Sequence, residues 1–142
     1  MYPNNNYFLN DAGANPFATN LFHDTMMNQN FRTARWTGNH LQLTLMCIPP
    51  NSDIGLEIHE DTDQFLYVAS GNGMAVMGEQ KNRLNYQCPI FGGSGIFVPA
   101  GTWHNIINTD FQPLKLFSVY APPAHPRGAV DVSKDAEEMR RY

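Results

Sequence analysis

The sequence has few cysteines, few charged residues and no long hydrophobic run, and each shortage excludes a class of protein. Cys47 and Cys88 are the only cysteines, too few for a disulfide framework, so we expect two free, buried thiols in a reducing cytoplasm. Charged residues make up 15% of the chain, and 9 basic residues against 13 acidic ones give a net charge of −4. Without a basic excess, the chain offers no face for nucleic acid or for an anionic membrane. No apolar run approaches the roughly 20 residues that span a bilayer, and the first residues lack the charged start and apolar stretch of a signal peptide.

Hydrophobic residues account for 42% of the 142 residues, which is enough to form one folded domain. Residues 1–15 are rich in asparagine and show no apolar period. We therefore expect a flexible N-terminal arm over residues 1–15 and a single domain over residues 16–142.

Short segments of alternating apolar and polar residues follow one another along most of the chain. In residues 40–48 the leucines alternate with polar residues, which is the period of two that a half-buried strand requires. Residues 23–30 predict one helical turn, and Gly71-Asn72-Gly73 predicts a tight turn between two strands. The segments that we predict as strands are residues 17–22, 40–48, 54–59, 64–69, 74–78, 95–99, 103–108 and 114–120.

Only the end of the chain has the pattern of a helix. Ser133 can cap its start, acidic residues fill its first turns, and Arg140 and Arg141 lie at its end, where the helix dipole favours positive charge. Many short strands and one short C-terminal helix predict an all-β sandwich or small barrel.

Two motifs contain residue types that carry chemistry. The later one is Gly93-x5-Pro99-x-Gly101-x2-His104-x3-Asn108, in which glycine and proline produce bends before His104 begins a strand. We expect Asn108 to bond backbone at the end of that strand. His104 is thus predicted to be held in one direction.

The earlier motif is Glu57-x-His59-x4-Gln64-x6-Gly71. Glu57 and His59 are two residues apart on a predicted strand, so they point to the same face, with their Cα atoms roughly 6.6 Å apart. Side chains of this length can converge on one ion. Gln64 opens the next predicted strand, across an acidic turn, and can face the same space.

Together the two motifs resemble those of the cupin superfamily, and the likeness covers roughly residues 40–120. The later motif matches at every fixed position. The earlier one usually reads Gly-x5-His-x-His-x3-4-Glu-x6-Gly; here Asn51 occupies the leading glycine position, Glu57 the first histidine and Gln64 the glutamate. The chain is similar to small single-domain bacterial cupins loosely called mannose-6-phosphate isomerase-like. The resemblance implies an all-β, cupin-type double-stranded β-helix, or jelly-roll barrel, with a short C-terminal helix.

The resemblance also implies one divalent metal ion, Fe, Mn, Zn or Ni, with Glu57, His59, Gln64 and His104 as candidate ligands. Two imidazoles and one carboxylate are the set found in facial-triad iron sites. Candidate catalytic residues are Glu57, His40 and Tyr120, and candidate substrate contacts are Gln42, Gln64 and His125. His40 and Gln42 share a strand face, which the sequence allows to be directed inward or outward.

The sequence thus predicts a metal-dependent enzyme, of isomerase, lyase or dioxygenase type, that acts on a small polar or sugar-like molecule. The alternatives are a non-catalytic cupin that binds a sugar or metabolite and a structural protein whose histidines only pack. We also predict a homodimer, because a small barrel leaves sheet edges that residues 17–22 or the arm could cover on a partner.

Overall fold

A computed structural model describes residues 9–141, without the side chain of Arg141, and shows two antiparallel sheets with a short helix near each end of that range. The elements are α1 (Leu21–Met27), β1 (Arg32–Thr37), β2 (Gln42–Ile48), β3 (Asp63–Ser70), β4 (Asn72–Gly78), β5 (Tyr86–Phe91), β6 (Gly95–Val98), β7 (Trp103–Asn108), β8 (Leu114–Ala121), β9 (Val130–Asp131) and α2 (Lys134–Arg141). Among these elements, no helix is long and apolar enough to cross a membrane.

The larger sheet has six strands in the order β6-β3-β8-β2-β1-β9, and the smaller has three in the order β5-β4-β7. Successive strands therefore alternate between the two sheets from β3 to β8, apart from β4 and β5, which pair with each other. Two facing antiparallel sheets with few helical residues confirm the predicted double-stranded β-helix and its C-terminal helix.

The alternation of residues along each strand determines which side chains point into the barrel. In β8 the inward residues Leu114, Leu116, Ser118 and Tyr120 are fully buried, while the residues between them are partly exposed. Leu114 and Leu116 belong to a large apolar cluster, whereas Ser118 and Tyr120 have polar neighbours on β2 and β3. The barrel thus has an apolar end and a polar end. The apolar cluster consists of Phe31, Met46, Ile48, Ile54, Leu66, Val68, Ala75, Met77, Ile90, Ile96, Val98, Ile106, Leu114 and Leu116.

The predicted strand over residues 17–22 is wrong, because the helix α1 begins at Leu21. Asn20 caps it, with Oδ1 accepting a hydrogen bond from the His23 N–H at 2.9 Å. The helical turn predicted over residues 23–30 thus corresponds to α1, which begins earlier and ends at Met27.

The predicted strand over residues 54–59 is also wrong, since this segment makes only isolated bridges to β7. Gly55, with φ of 94°, breaks the extended backbone. The pattern also missed β1, β5 and β9. In β1 five of six residues are buried, so this strand lacks the alternation that identifies one.

The part of the predicted arm that the structure describes, residues 9–15, lies along β1. Ala12 N–H donates to the Arg35 carbonyl at 3.0 Å, and the Trp36 indole donates to the Asn15 carbonyl at 2.8 Å. Residues 1–8 of that arm lie outside the described residues. Cys47 and Cys88 are free, as predicted, but both are partly exposed rather than buried.

Candidate metal centre

The backbone brings Glu57 and His104 side by side, although 46 residues separate them in the sequence. Glu57 N–H donates to the His104 carbonyl at 3.0 Å, and His104 N–H donates to the Glu57 carbonyl at 2.9 Å. Paired residues of this kind in antiparallel chains have neighbouring side chains. The two motifs therefore meet through one bridge, even though residues 54–59 do not form a strand.

A second backbone contact fixes His59 against the later motif. The N–H of Gly101 donates to the His59 carbonyl at 2.8 Å. Gly101 has φ of 78°, a conformation that a glycine adopts readily, so the turn before β7 depends on this residue. The bend that the glycine and proline of the motif predicted thus positions both histidines.

The side chains of Glu57, His59 and His104 form one cluster, in which the candidate ligand atoms all lie within 4.8 Å of one another. The Oε1 atom of Glu57 is 3.3 Å from Nε2 of His59 and 3.7 Å from Nε2 of His104. Ligand atoms about 2 Å from one ion lie about 3–4 Å from each other. The two distances from Glu57 are therefore those of donors around a single ion.

The hydrogen bonding of His104 leaves one ring nitrogen directed at the cluster. Nδ1 lies 2.9 Å from the Thr102 carbonyl, which can only accept, so Nδ1 carries the proton. Nε2 is directed at Glu57, 3.7 Å from its Oε1, and is buried with no hydrogen-bond partner in the described chain. A histidine held by a carbonyl at one nitrogen, with the other nitrogen bare, has the arrangement of a metal ligand.

Glu57 is ionised at neutral pH. Burial by itself would raise its pKa, but the contacts with His104 and His59 and the charge of Arg32 outweigh burial, so the pKa of Glu57 lies well below the ordinary 4.5. The ionised carboxylate presents lone pairs here, and the neutral form of the His104 ring presents one at Nε2. A cation between them would satisfy both groups.

Gln64 lies at the start of β3, where its side chain is buried beside β8. Its Nε2 donates to Ser118 Oγ at 2.8 Å, while Oε1 has no hydrogen-bond partner within residues 9–141. The amide is thus oriented by Ser118, and its carbonyl oxygen is left for another group.

Tyr120 lies between His59 and His125, with ring centroids 5.7 and 5.2 Å away. Its hydroxyl accepts a hydrogen bond from Nη1 of the fully buried Arg32 at 3.1 Å. Burial raises the pKa of Tyr120, so the hydroxyl keeps its proton at neutral pH.

A chain of ion pairs joins this region to the helix α2. Glu137 of α2 accepts from Arg32 Nε at 3.2 Å, and its Oε1 lies 3.9 Å from Nδ1 of His125. Arg140 lies in the same cluster and pairs with Asp131 at 2.8 Å. The C-terminal helix is thus attached to the barrel through buried charges near the candidate metal centre.

Gln42 faces inward on β2, but its amide is occupied by the chain itself. Its Nε2 donates to the His125 carbonyl at 2.9 Å, and its Oε1 accepts from the N–H groups of Ala124 and His125. His40 is exposed on the turn between β1 and β2, outside the three-residue cluster. Asn108 donates to the Ile48 and Gln112 carbonyls, the backbone contact expected of it.

Sequence reasoning missed Arg32, Ser118 and Glu137. A signal existed only for Ser118, which is a polar residue at an inward position of the alternating β8. Arg32 lies in a strand without alternation, and Glu137 belongs to a helix whose docking partner the sequence does not reveal.

Fold and site together define a small β-barrel with a candidate metal centre in its polar end. The family model of the cupin domain matches residues 44–120, a stretch that contains β3–β7, most of β2 and β8, and the Glu57, His59 and His104 cluster. The chain therefore belongs to the cupin family.

Three relatives show the same family likeness over most of the chain. The protein YrkC of Bacillus subtilis is 51% identical over 133 residues, 94% of this chain and 72% of that protein. The protein L612 of Acanthamoeba polyphaga mimivirus is 38% identical over 121 residues, 83% of this chain and 72% of that protein. The crystal structure of BH2720 from Bacillus halodurans superposes with a TM-score of 0.91 at 48% identity, covering 92% of this chain and 98% of the other.

Proposed function

We propose that this cupin is a metal-dependent enzyme that acts on a small polar or sugar-like molecule. One divalent ion is held by Glu57, His59 and His104, with the Gln64 carbonyl oxygen beside it. The observation that carries the proposal is the buried Nε2 of His104, which has no hydrogen-bond partner in the described chain and lies 3.7 Å from the Glu57 carboxylate.

The donor set agrees with Fe, Mn, Zn or Ni, because imidazole and carboxylate ligands suit all four ions. When bound, the ion would polarise an oxygen atom of the substrate. Two imidazoles and one carboxylate leave coordination positions open for that oxygen, which agrees with isomerase, lyase or dioxygenase chemistry.

The chain's own residues supply proton chemistry around that position. Tyr120 is protonated at neutral pH and is oriented by Arg32, so its hydroxyl serves as a proton donor near His59. Glu57 is ionised and serves as a proton acceptor if it leaves the ion. His125 and Gln42 hold the wall behind Tyr120, and the exposed His40 has no part in this arrangement.

The proposed metal centre is tested by elemental analysis of protein purified without chelators. We expect one divalent ion per chain in the wild type and none in the double variant His59→Ala with His104→Ala. His23→Ala is the matched control, since this histidine lies on α1 and outside the cluster, and it should retain the ion. Full metal content in the double variant would place the site elsewhere, and a metal-free wild type would favour histidines that only pack.

Catalysis is tested on the metal-loaded protein with a panel of aldoses, ketoses and their phosphates, followed by proton NMR. New resonances that need both the ion and His104 would support an enzyme. A ligand that binds without turnover would favour the non-catalytic alternative. The homodimer and the cytoplasmic location remain predictions.

A further inference from the structure

Besides Nε2 of His104, the buried polar atoms without a hydrogen-bond partner among the described residues include three on side chains near Ser118 and Tyr120. They are Nη2 of Arg32, Oγ1 of Thr44 and Oε1 of Gln64, and all three side chains are at least nine-tenths buried. A buried polar atom without a partner destabilises the fold, and more so when the group is charged. Such atoms are typical of a site that awaits a ligand or ordered water.

The three atoms belong to neighbouring positions around Ser118 and Tyr120. Thr44 pairs with Ser118 in the β2–β8 register, and Gln64 donates to the Ser118 hydroxyl. Arg32 donates to the hydroxyl of Tyr120, which lies two residues from Ser118 on the same face of β8. Tyr120 in turn contacts the ring of His59, so this group of atoms adjoins the candidate metal centre.

The three atoms differ in the kind of partner that they require. An arginine cannot lose its proton in a protein, and its charge is strongly stabilised by an anionic acceptor. Here Glu137 accepts from Nε and Tyr120 accepts from Nη1, which leaves Nη2 facing an unfilled acceptor position. The Thr44 hydroxyl can donate or accept, whereas the Gln64 carbonyl oxygen requires a donor or a cation.

The space beside the site limits the size of the ligand. A cleft of about 230 Å³ lies between residues 54–57 and α2, with Glu57 and Glu137 on its walls and Lys134 and Glu138 at α2. Glu57 belongs to the candidate metal centre and Glu137 contacts Arg32, so the cleft adjoins both groups. A volume below that of a drug-sized pocket admits a molecule of only a few heavy atoms.

We propose that the ligand of this site is a short hydroxy acid. Its carboxylate accepts from Arg32 Nη2 and Thr44, and its hydroxyl lies at the metal centre and donates to Gln64 Oε1. This inference rests on the proposed metal centre and narrows the substrate class to molecules that carry both groups.

Calorimetric titration of the metal-loaded protein tests the inference with matched probes. Lactate and 3-hydroxybutyrate carry both groups, propane-1,2-diol and butane-1,3-diol lack the charge, and propionate lacks the hydroxyl. We expect at least one of the two hydroxy acids to bind about tenfold or more tightly than its diol and than propionate, since a buried site built for a polar group rejects an analogue without it.

Three variants test where the carboxylate of the ligand binds. Thr44→Val removes the hydroxyl at nearly constant volume, so it should weaken the binding of the hydroxy acid by about three- to tenfold without changing metal content. Thr44→Ser keeps the hydroxyl and should retain the affinity. Arg32→Met combined with Glu137→Leu removes both charges of the buried pair and should abolish the preference for acid over diol. Circular dichroism verifies the fold, and if the double variant does not fold, the two Thr44 variants decide.

The outcomes separate this inference from the proposed function. If the metal is bound but neither acid binds better than its diol, or if Thr44→Val binds the acid as the wild type does, the subsite is wrong and ordered water fills it. If the wild type takes up no metal, the proposed function fails. The same titration on the metal-free chain then decides the subsite, and equal affinity for acid and diol overturns it.

Discussion

At the scale of single residues, the candidate site depends on which polar atoms have partners and which do not. His104 has one nitrogen held by the Thr102 carbonyl and the other left bare, and Gln64 has its amide nitrogen held by Ser118 and its oxygen left bare. The two residues are therefore oriented by the chain before any ligand binds. We therefore expect mutations of the His104 imidazole and of the Gln64 amide to have different effects.

We expect Gln64→Ala to leave the metal content near that of the wild type, because an amide oxygen is a neutral, weak donor compared with an imidazole. Gln64→Glu should tighten metal binding, because it places a second carboxylate beside Glu57. Calorimetric titration of both variants with Zn²⁺ measures this. Loss of the ion in Gln64→Ala as complete as in His104→Ala would make Gln64 an essential ligand.

Tyr120→Phe is expected to destabilise the protein by about 1–3 kcal/mol, because it removes the acceptor of Arg32 Nη1 and leaves a second unpartnered N–H on a buried charge. Urea unfolding of the metal-free protein measures the loss. Tyr67→Phe is the control, since Tyr67 is partly exposed on the outer face of β3, and it should change the free energy of unfolding by less than about 0.5 kcal/mol. Equal stability of Tyr120→Phe and the wild type would show that Arg32 finds another acceptor.

At the scale of elements, α2 is attached to the barrel at three successive positions. Lys134 pairs with Asp53 at its start, Glu137 contacts Arg32 in its middle, and Arg140 pairs with Asp131 near its end. The isolated helix is only eight residues long, too short to be stable alone. These contacts therefore hold the helix against the segment that carries Glu57.

The Asp53 contact gives α2 a pH dependence. Burial would raise the pKa of Asp53, but hydrogen bonds from Lys134 and Asn105 and the charge of Lys134 outweigh it, so the pKa lies below the ordinary 3.8. A depressed carboxyl pKa contributes stability above the unfolded value and loses that contribution as the pH falls through the folded value. Since both partners are about a third exposed, the contribution is at most about 1 kcal/mol.

We therefore expect Asp53→Asn to lower the free energy of unfolding by about 0.5–1 kcal/mol at pH 7. This difference should shrink as the pH falls below 3.8. Urea unfolding at pH 7 and at lower pH measures it, with Asp61→Asn on the exposed turn before β3 as the control. A difference that is independent of pH would mean that Asp53 acts through packing rather than through its charge.

At the scale of the whole molecule, the larger sheet exposes an aromatic surface opposite its core face. Rings of Phe65 and Phe97 lie 4.8 Å apart, those of Tyr67 and Phe117 lie 5.3 Å apart, and Phe97 is 72% exposed. Exposed apolar patches of this kind are typical of interaction sites. Phe17, in the segment that we predict to cross to a partner, also lies 4.7 Å from the Arg35 guanidinium of its own chain.

The predicted homodimer is therefore tested on the aromatic surface. Light scattering at micromolar concentration should give twice the 16.0 kDa of one chain, and Phe97→Ser should shift the particle towards one chain. Phe111→Ser is the matched control, because Phe111 is 94% exposed on the turn between β7 and β8 and lies outside the surface. A wild type that scatters as a single chain would contradict the homodimer.

The sequence alone determined the features that depend on residues close to each other along the chain. Period-two alternation predicted β2, β3, β4, β6, β7 and β8, the charge order predicted α2, and two spaced motifs predicted Glu57, His59 and His104 as one cluster. These features are local, because strand alternation, helix capping and glycine turns act over a few residues. The cluster itself could be inferred only because the motif spacings resemble a known family.

Only the tertiary structure decided the rest. Arg32 and Glu137 are 105 residues apart, and their contact exists because β1 and α2 pack at the same end of the barrel. The buried strand β1 has no alternation, since both of its faces are covered, and the segment 54–59 has the alternation of a strand but meets β7 only at isolated bridges. Burial and pairing are properties of the assembled sheets, so the unpartnered atoms of Arg32, Thr44 and Gln64 become visible only when the barrel is complete.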